Sequence, residues 1–356
     1  MSAATGLDLA QQTEDYLKTA PNPEAMEEKT EILREGLVGL GARSLLALNV
    51  PPPWSATQGG KLDYFRFLER LARYSGTLNF TQTQHQSAVS FIANGDNEKL
   101  KSHYIPKMRS GEVLIGVSYA HLRREKPTLE ATKVPGGYLF SGYLPWITGW
   151  SLFQQVVVAA RLEDDSIIFA LMPFVSSAQG ELRFSAPMSL AAMSSTNTVS
   201  AECDRYFIPD ETVVSLQSKD WMKEKDRQNV LNATFSMLGL ARSGLDIVEK
   251  ASKTQAAIAP QFLVLSEQLE HLRAKIYTEK EEQRLSLEQQ LQLRAQAIAL
   301  THQCSLATII VSRGSANQKH HPAQRIYREA LVLSVMGHTN KVMEATLEQV
   351  VNQGNI

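Results

Sequence analysis

Cysteine is scarce in this 356-residue chain: there are two, Cys203 and Cys304, far apart in sequence. A chain of this size buries a large core without disulfide staples. Both are read as reduced thiols of a cytoplasmic protein. No Cys-x-x-Cys pair, no Cys/His cluster and no His-Glu-x-x-His occurs, so no metal site is expected. Net charge is scarce too: Lys and Arg total 36 against 37 Asp and Glu, for −1. Nothing global draws the chain to nucleic acid or an anionic membrane. Long apolar runs are missing. Stretches such as Ile167 to Met172 fall well short of the roughly 20 residues that span a bilayer, so no membrane insertion is expected. The N-terminus lacks a basic start followed by an apolar segment, and is not read as a signal peptide.

What is present is ordinary for a packed protein: 43% apolar and 21% charged residues. The texture changes twice. Up to about residue 110 the apolar spacing is helical. Glu27 to Leu40 places Ile32, Leu33, Leu37 and Leu40 on one face, and residues 62–74 do the same through Leu62, Phe65, Leu68 and Leu71. Val50-Pro51-Pro52-Pro53-Trp54 between them cannot be helix interior. From Gly111 to about Ser215 short β-branched and aromatic segments alternate with turn residues such as Pro135-Gly136-Gly137. They predict a β-barrel or sandwich. From Trp221 to Val351 helical spacing returns. A helix is expected over 230–250, with Gly239, Ala241 and Gly244 permitting close packing. Long amphipathic stretches fill 261–312, interrupted by polar Glu279 to Gln290, and Pro322 opens a last helix running through Val335 to Val342. The expected class is α+β: an N-terminal helical domain (1–110), a β domain (111–218) and a C-terminal helical bundle (219–356).

Several segments, in order, resemble the acyl-CoA dehydrogenase superfamily. Leu68-Glu69-Arg70-Leu71-Ala72-Arg73 is similar to its Leu-Glu-Glu-Leu-Ala-Arg helix. Gly95 to Lys101 followed by Ile105-Pro106 and Ser110-Gly111-Glu112, and Gly137 to Gly142 with Trp146-Ile147-Thr148-Gly149, resemble two further motifs. Asp204 to Pro209, Leu238 to Leu245 and Gln324 to Ala330 resemble three more. The resemblance implies three domains, the last a four-helix bundle, and a homodimer or homotetramer. It implies FAD, with Trp146 against the isoalloxazine ring, Thr148 near its N5 and Ser118 retaining one hydroxyl contact. A flat apolar ring fits an aromatic wall, and a fixed donor tunes flavin chemistry.

The departures concern the chemistry. The family's base is a Glu, suited to taking a proton from carbon. Its position aligns with Gly337, and the alternative position on an earlier helix with Asn229; neither side chain is a base. His338 is adjacent and is the low-ranked candidate for a catalytic role, since on a helix a one-residue shift turns a side chain by about 100°. The family's Gly-Ser-Asp loop end is absent from Val117 to Arg124. Its Arg-x-x-Phe-Gly motif falls on Gln255, Ile258 and Ala259, and its Gly-Gly-x-Gly stretch on Gly314-Ser315-Ala316. Arg123 and Arg124 are possible replacement phosphate contacts. The leading expectation is an FAD-dependent oxidoreductase acting on an acyl thioester. The alternatives are a flavin-dependent monooxygenase-like enzyme and a catalytically inactive binding protein.

Overall fold

The computed structural model describes residues 9–55 and 62–353. Residues 1–8 of the N-terminal reading lie outside them. The chain runs helices, strands, helices, the expected α+β class.

The first part holds α1 (Leu9–Leu17), α2 (Pro23–Glu28), α3 (Thr30–Gly41), α4 (Asp63–Tyr74), α5 (Gly76–Asn94) and α6 (Glu98–Ser110). The single helix expected over Glu27 to Leu40 is two, because Lys29 adopts extended backbone (φ −116°, ψ 116°) and both ends the first and starts the second. Asn22 caps α2 by accepting from the Ala25 N–H, with Pro23 at the first helical position. Ser75 caps α5 through the Leu78 N–H. Gly111, at φ +75°, closes α6 in the left-handed conformation that glycine adopts without strain.

Eight strands form one sheet: β1 (Ile115–Ser118), β2 (Leu129–Val134), β3 (Gly137–Ile147), β4 (Gln155–Arg161), β5 (Ile167–Pro173), β6 (Leu182–Phe184), β7 (Val199–Pro209) and β8 (Val213–Gln217). The order is β6-β7-β3-β2-β4-β5-β8, and β1 runs parallel to β4. The segments around β2, β6 and β8 carry no clear alternation and were not anticipated as strands. β4, between its terminal Gln155 and Arg161, and β5, up to its terminal Pro173, are apolar and buried on both faces. Val156, Val158 and Ala160 join the main core. Val157 and Ala159 join a second one, beneath α5 and α6.

The C-terminal part holds α7 (Trp221–Gln228), α8 (Thr234–Ser252), α9 (Ala259–Glu282), α10 (Leu287–Ser312), α11 (Pro322–Val335) and α12 (Asn340–Gln353). The polar stretch between α9 and α10 is a tight turn over Gln283 to Ser286, closed by a capping box between Ser286 and Gln289. Gly239 on α8 lies so near α4 that a Cβ there would sit 2.0 Å from the Glu69 carbonyl oxygen. Leu287–Asn317 is long and apolar enough to cross a membrane by length and composition, an exception to the sequence expectation. Half of its apolar window is buried within the fold, as in a core helix. The last helix expected from Pro322 onward is interrupted: α11 ends at Val335, and residues 336–339 form a turn before α12.

Candidate functional site

A cavity of about 830 Å³ opens where all three parts of the chain meet. Tyr64, Phe65 and Leu68 of α4 and Phe80 and Phe91 of α5 form one wall; Ser118, Tyr119, Trp146 and Thr148 of the sheet form another. The remainder comes from α7, the start of α8, Arg294 of α10 and the end of α11. Such a volume with mostly apolar and aromatic lining suits a small organic ligand.

The sheet wall follows from a local irregularity. Between Leu144 and Ile147, β3 spends one more residue than its partner β7 does between Ala201 and Val199. A bulge of this kind re-aims side chains. Leu144 and Ile147 stay fully buried while Trp146 is 57% exposed, so Trp146 is no core residue; its indole forms cavity wall. Thr148, two residues on, lines the same cavity, and its hydroxyl lies 3.3 Å from that of Thr198. The Ser118 hydroxyl donates to the Trp146 carbonyl at 3.4 Å. Trp146, Thr148 and Ser118 are thus brought together on one wall.

Gly337 and Asn229 line the same cavity. Gly337 has φ +60°, a conformation a Glu would adopt only with strain. A Cβ there would meet one atom within 4 Å, Nη2 of Arg294 at 4.0 Å. Asn229 ends α7; its amide donates to the Lys225 carbonyl at 2.8 Å and accepts from Asn232 at 2.6 Å. His338 lies in the 336–339 turn rather than on a helix, so the helical 100° argument does not apply to it. It is half-buried, is not among the cavity-lining residues, and its Nε2 is buried without a hydrogen-bond partner. Burial, and then the Arg294 charge, hold its pKa below the usual histidine range.

Sequence reasoning missed the charged corner. Asp226, one helical turn before Asn229, is the only carboxylate among the described residues lining the cavity. Arg123 holds it in a two-pronged pair, from Nε at 2.9 Å and from Nη2 at 2.6 Å. Arg123 is therefore committed to Asp226, and Arg124 is exposed. Arg294 is 2% exposed; it donates to the carbonyls of Val230 (2.9 Å) and Met336, and its Nε has no partner. Burial, then the Arg123 charge, lowers its pKa to about 10, leaving it protonated at neutral pH. The Lys225 ammonium packs over the rings of Phe91 and Trp221, 5.5 and 5.7 Å from their centroids, and burial lowers its pKa. No regular spacing in the sequence announces this corner, because α7, the turn after β1, and α10 converge only in the fold.

A second missed residue is Arg313. Gln255 stands where the resemblance expects an arginine, and Arg313 Nη2 donates to its Oε1 at 2.8 Å at an exposed position. A guanidinium therefore occupies that neighbourhood, supplied by the end of α10. Both cysteines are buried and unpaired, and burial pushes their thiols up to about 12. No three His, Cys, Asp or Glu side chains among the described residues are placed to hold a metal ion.

Residues 7–112 match the family model described as acyl-CoA dehydrogenase, N-terminal domain. The whole fold is that of the butyryl-CoA dehydrogenase of Megasphaera elsdenii, with a TM-score of 0.79 at 15% identity over 99% of this chain and 100% of that one. The N-terminal part of the chain is thus similar to that family, and the whole chain has the acyl-CoA dehydrogenase fold. Among its relatives, the mitochondrial isovaleryl-CoA dehydrogenase of Pongo abelii is 24% identical over 151 residues, 40% of this chain and 36% of that protein. The match thus spans about a third of that relative's length. An acyl-CoA dehydrogenase of Bacillus subtilis is 20% identical over 93% of each chain. A nitroalkane oxidase structure superposes equally well, with a TM-score of 0.80 at 13% identity over 98% of this chain and 96% of that one. The shared fold therefore spans more than one chemistry.

Proposed function

We propose that this chain is a flavin-dependent oxidoreductase that binds FAD against Trp146 and a small acyl ligand in the adjoining cavity. The observation that carries this reading is the wall itself. A large indole stays 57% exposed at the rim of an 830 Å³ cavity, where it gains nothing from packing, and two hydroxyls, Ser118 and Thr148, stand beside it. An aromatic face with polar groups at its edge fits a flat heteroaromatic ring. Arg313 at Gln255 is the group that would face the cofactor's phosphates. A bound flavin would supply a two-electron acceptor; the protein's part is to stack the ring, fix the ligand beside it and exclude water.

Ordinary α,β-dehydrogenation of an acyl thioester is the finer form of this proposal, and the site bears on it. Removing a carbon-bound proton calls for a base, but Gly337 and Asn229 hold the two family positions. Asp226 is tied to Arg123, and His338 is not among the residues that line the cavity. These positions favour a second reading, a flavin-dependent monooxygenase-like reaction or a non-catalytic ligand-binding role, over the usual one. Exposed apolar side chains on the C-terminal helices, among them Leu263, Leu306, Ile310 and Leu347, support the proposal of a homo-oligomer.

The test is the absorbance spectrum of the purified protein between about 350 and 500 nm, the flavin range, with and without added FAD. A two-banded spectrum that Trp146→Ala removes supports the reading. Absence of a band even with excess FAD, and no rise in melting temperature, would end it. With flavin bound, acyl-CoA-dependent bleaching separates dehydrogenation from the alternatives, and oxygen consumption separates the alternatives from each other.

A further inference from the structure

The lining of the cavity is electrostatically lopsided. Three cations, Arg123, Lys225 and Arg294, face one carboxylate, Asp226, among the described residues. The Arg123–Asp226 pair neutralises itself. That leaves Lys225, whose ammonium is matched only by ring faces, and Arg294, whose contacts are two neutral carbonyls and whose Nε is an orphan. Asp226 acts on Arg294 only at a distance, and a buried guanidinium with no carboxylate in contact is costly. The structure also leaves space beside it: nothing but Arg294 Nη2 lies within 4 Å of where a Cβ on Gly337 would be. A cation with no carboxylate against it, next to open cavity, is a site short of one anion.

We infer that this cavity, at the Arg294 side chain beside Gly337 and with Lys225 elsewhere on its wall, binds a carboxylate carried by the ligand, so that the natural substrate or effector is an acid rather than a neutral acyl chain. The inference rests on the proposed reading of the cavity as the ligand site, and does not need the flavin. Arg294 is suited to the task because its guanidinium is already fixed by Val230 and Met336, so little side-chain freedom is lost on binding. An anionic group could also come from the pyrophosphate of FAD; the experiment separates the two sources.

Binding of butyrate and of its neutral analogue butyramide to the full-length protein is measured by isothermal titration, with FAD present and absent. The cation corner predicts that butyrate binds about tenfold or more tighter, the range of a charge-assisted hydrogen bond. Gly337→Asp and Gly337→Asn both tolerate the left-handed backbone, but only the first brings a carboxylate of its own. The preference for butyrate should disappear in Gly337→Asp and persist in Gly337→Asn. Arg294→Gln should abolish it too, but also removes contacts that hold the fold. Lys225→Met, which keeps the stem over the aromatic rings, is therefore the companion variant and should reduce the preference severalfold. Equal binding of the acid and the amide, or a preference unchanged in Gly337→Asp, overturns the inference. So does a loss of FAD affinity in Lys225→Met with the butyrate preference intact, which would assign the cations to the cofactor. A preserved butyrate preference in a protein that never binds FAD would support the carboxylate site while removing the flavin reading.

Discussion

Glu329 is the strongest test of how α11 is held in place, and with it the Met336–Gly337 wall of the cavity. Its side chain is fully buried. One oxygen accepts from Arg325 at 2.7 Å and from the Gly76 N–H at 3.1 Å; the other accepts from the Thr77 N–H and the Thr77 hydroxyl, each at 2.8 Å. The carboxylate therefore caps the N-terminus of α5 from another domain, where a helix end leaves N–H groups unpaired and favours negative charge. Burial pushes its pKa up, while the Arg325 charge and the Thr77 donors oppose that. Truncation by Glu329→Ala leaves Arg325, itself 4% exposed, with Glu24 as its remaining carboxylate partner at 3.2 Å. Removing one partner of a buried pair costs about 3–5 kcal/mol. Glu329→Gln keeps the shape but turns one acceptor oxygen into an NH2 that faces donors, either Arg325 and the Gly76 N–H or the two Thr77 groups, for about 2–3 kcal/mol. Urea unfolding followed by circular dichroism gives both numbers. The double variant Arg325→Met, Glu329→Gln should recover part of the loss, because no buried charge is then left over. A Glu329→Ala cost below about 1 kcal/mol, the range of an exposed pair, would refute this account of the domain junction.

Three further outcomes are expected. Gly239→Ala should destabilise by about 2–3 kcal/mol in the same urea assay, because its Cβ would collide with the Glu69 backbone at 2.0 Å, where no flexible side chain can yield. His85 is fully buried; its Nδ1 accepts from the Ile115 N–H at 3.0 Å and its Nε2 donates to the Met108 carbonyl at 3.0 Å. Burial lowers its pKa from 6.5 to about 4, so the unfolded chain binds the proton first. The stability this neutral ring contributes is present above pH 6.5 and falls away as pH drops toward 4. Midpoints flat across that window, or unchanged in slope in His85→Gln, would contradict it. Asp246→Asn should cost about 1 kcal/mol or less, since Asp246 lies partly exposed between Arg73 of α4 and Arg242 of its own helix; a larger loss would show that the α4–α8 contact depends on charge.

The sequence carried the fold in those places where one periodicity dominates. α4, with Phe65, Leu68 and Leu71 buried, and the fully apolar β5 announce themselves. The strands that escaped notice are the short β6 and the mixed β2, whose burial alternates only once they pair with β7 and β3. The break at Lys29 and the end of α11 at Val335 were invisible because apolar spacing continues across both. In the cavity, Trp146, Thr148 and Ser118 were singled out by the family resemblance alone, and the fold puts all three on one wall. Asp226 and Lys225 were not legible, since they sit on the polar helix α7, which would ordinarily be solvated, and Arg294 was not, being a lone charge amid the buried apolar residues of α10. Arg313 was hidden by distance in sequence, being 58 residues from the Gln255 it contacts.

The sign of the charge in the corner behind Gly337 separates the readings of this protein. Where the sequence comparison expects a carboxylate, the chain offers a left-handed glycine, and the nearest group is a guanidinium. Loss of a side chain alone would leave a neutral hole. Here the electrostatics are reversed, and the reversal is maintained: Arg294 is fixed at both Nη atoms, and Lys225 is drawn into an aromatic surround that lowers its affinity for a proton. Arg294, protonated at neutral pH, is no base, and neither Gly337 nor Asn229 supplies one. The site can hold an anion and stabilise negative charge beside the ring wall. An indole wall, an open cavity and a guanidinium fixed beside it are the features that the proposed acidic ligand requires, and exchanging the ligand's carboxylate for an amide is the change that tests them.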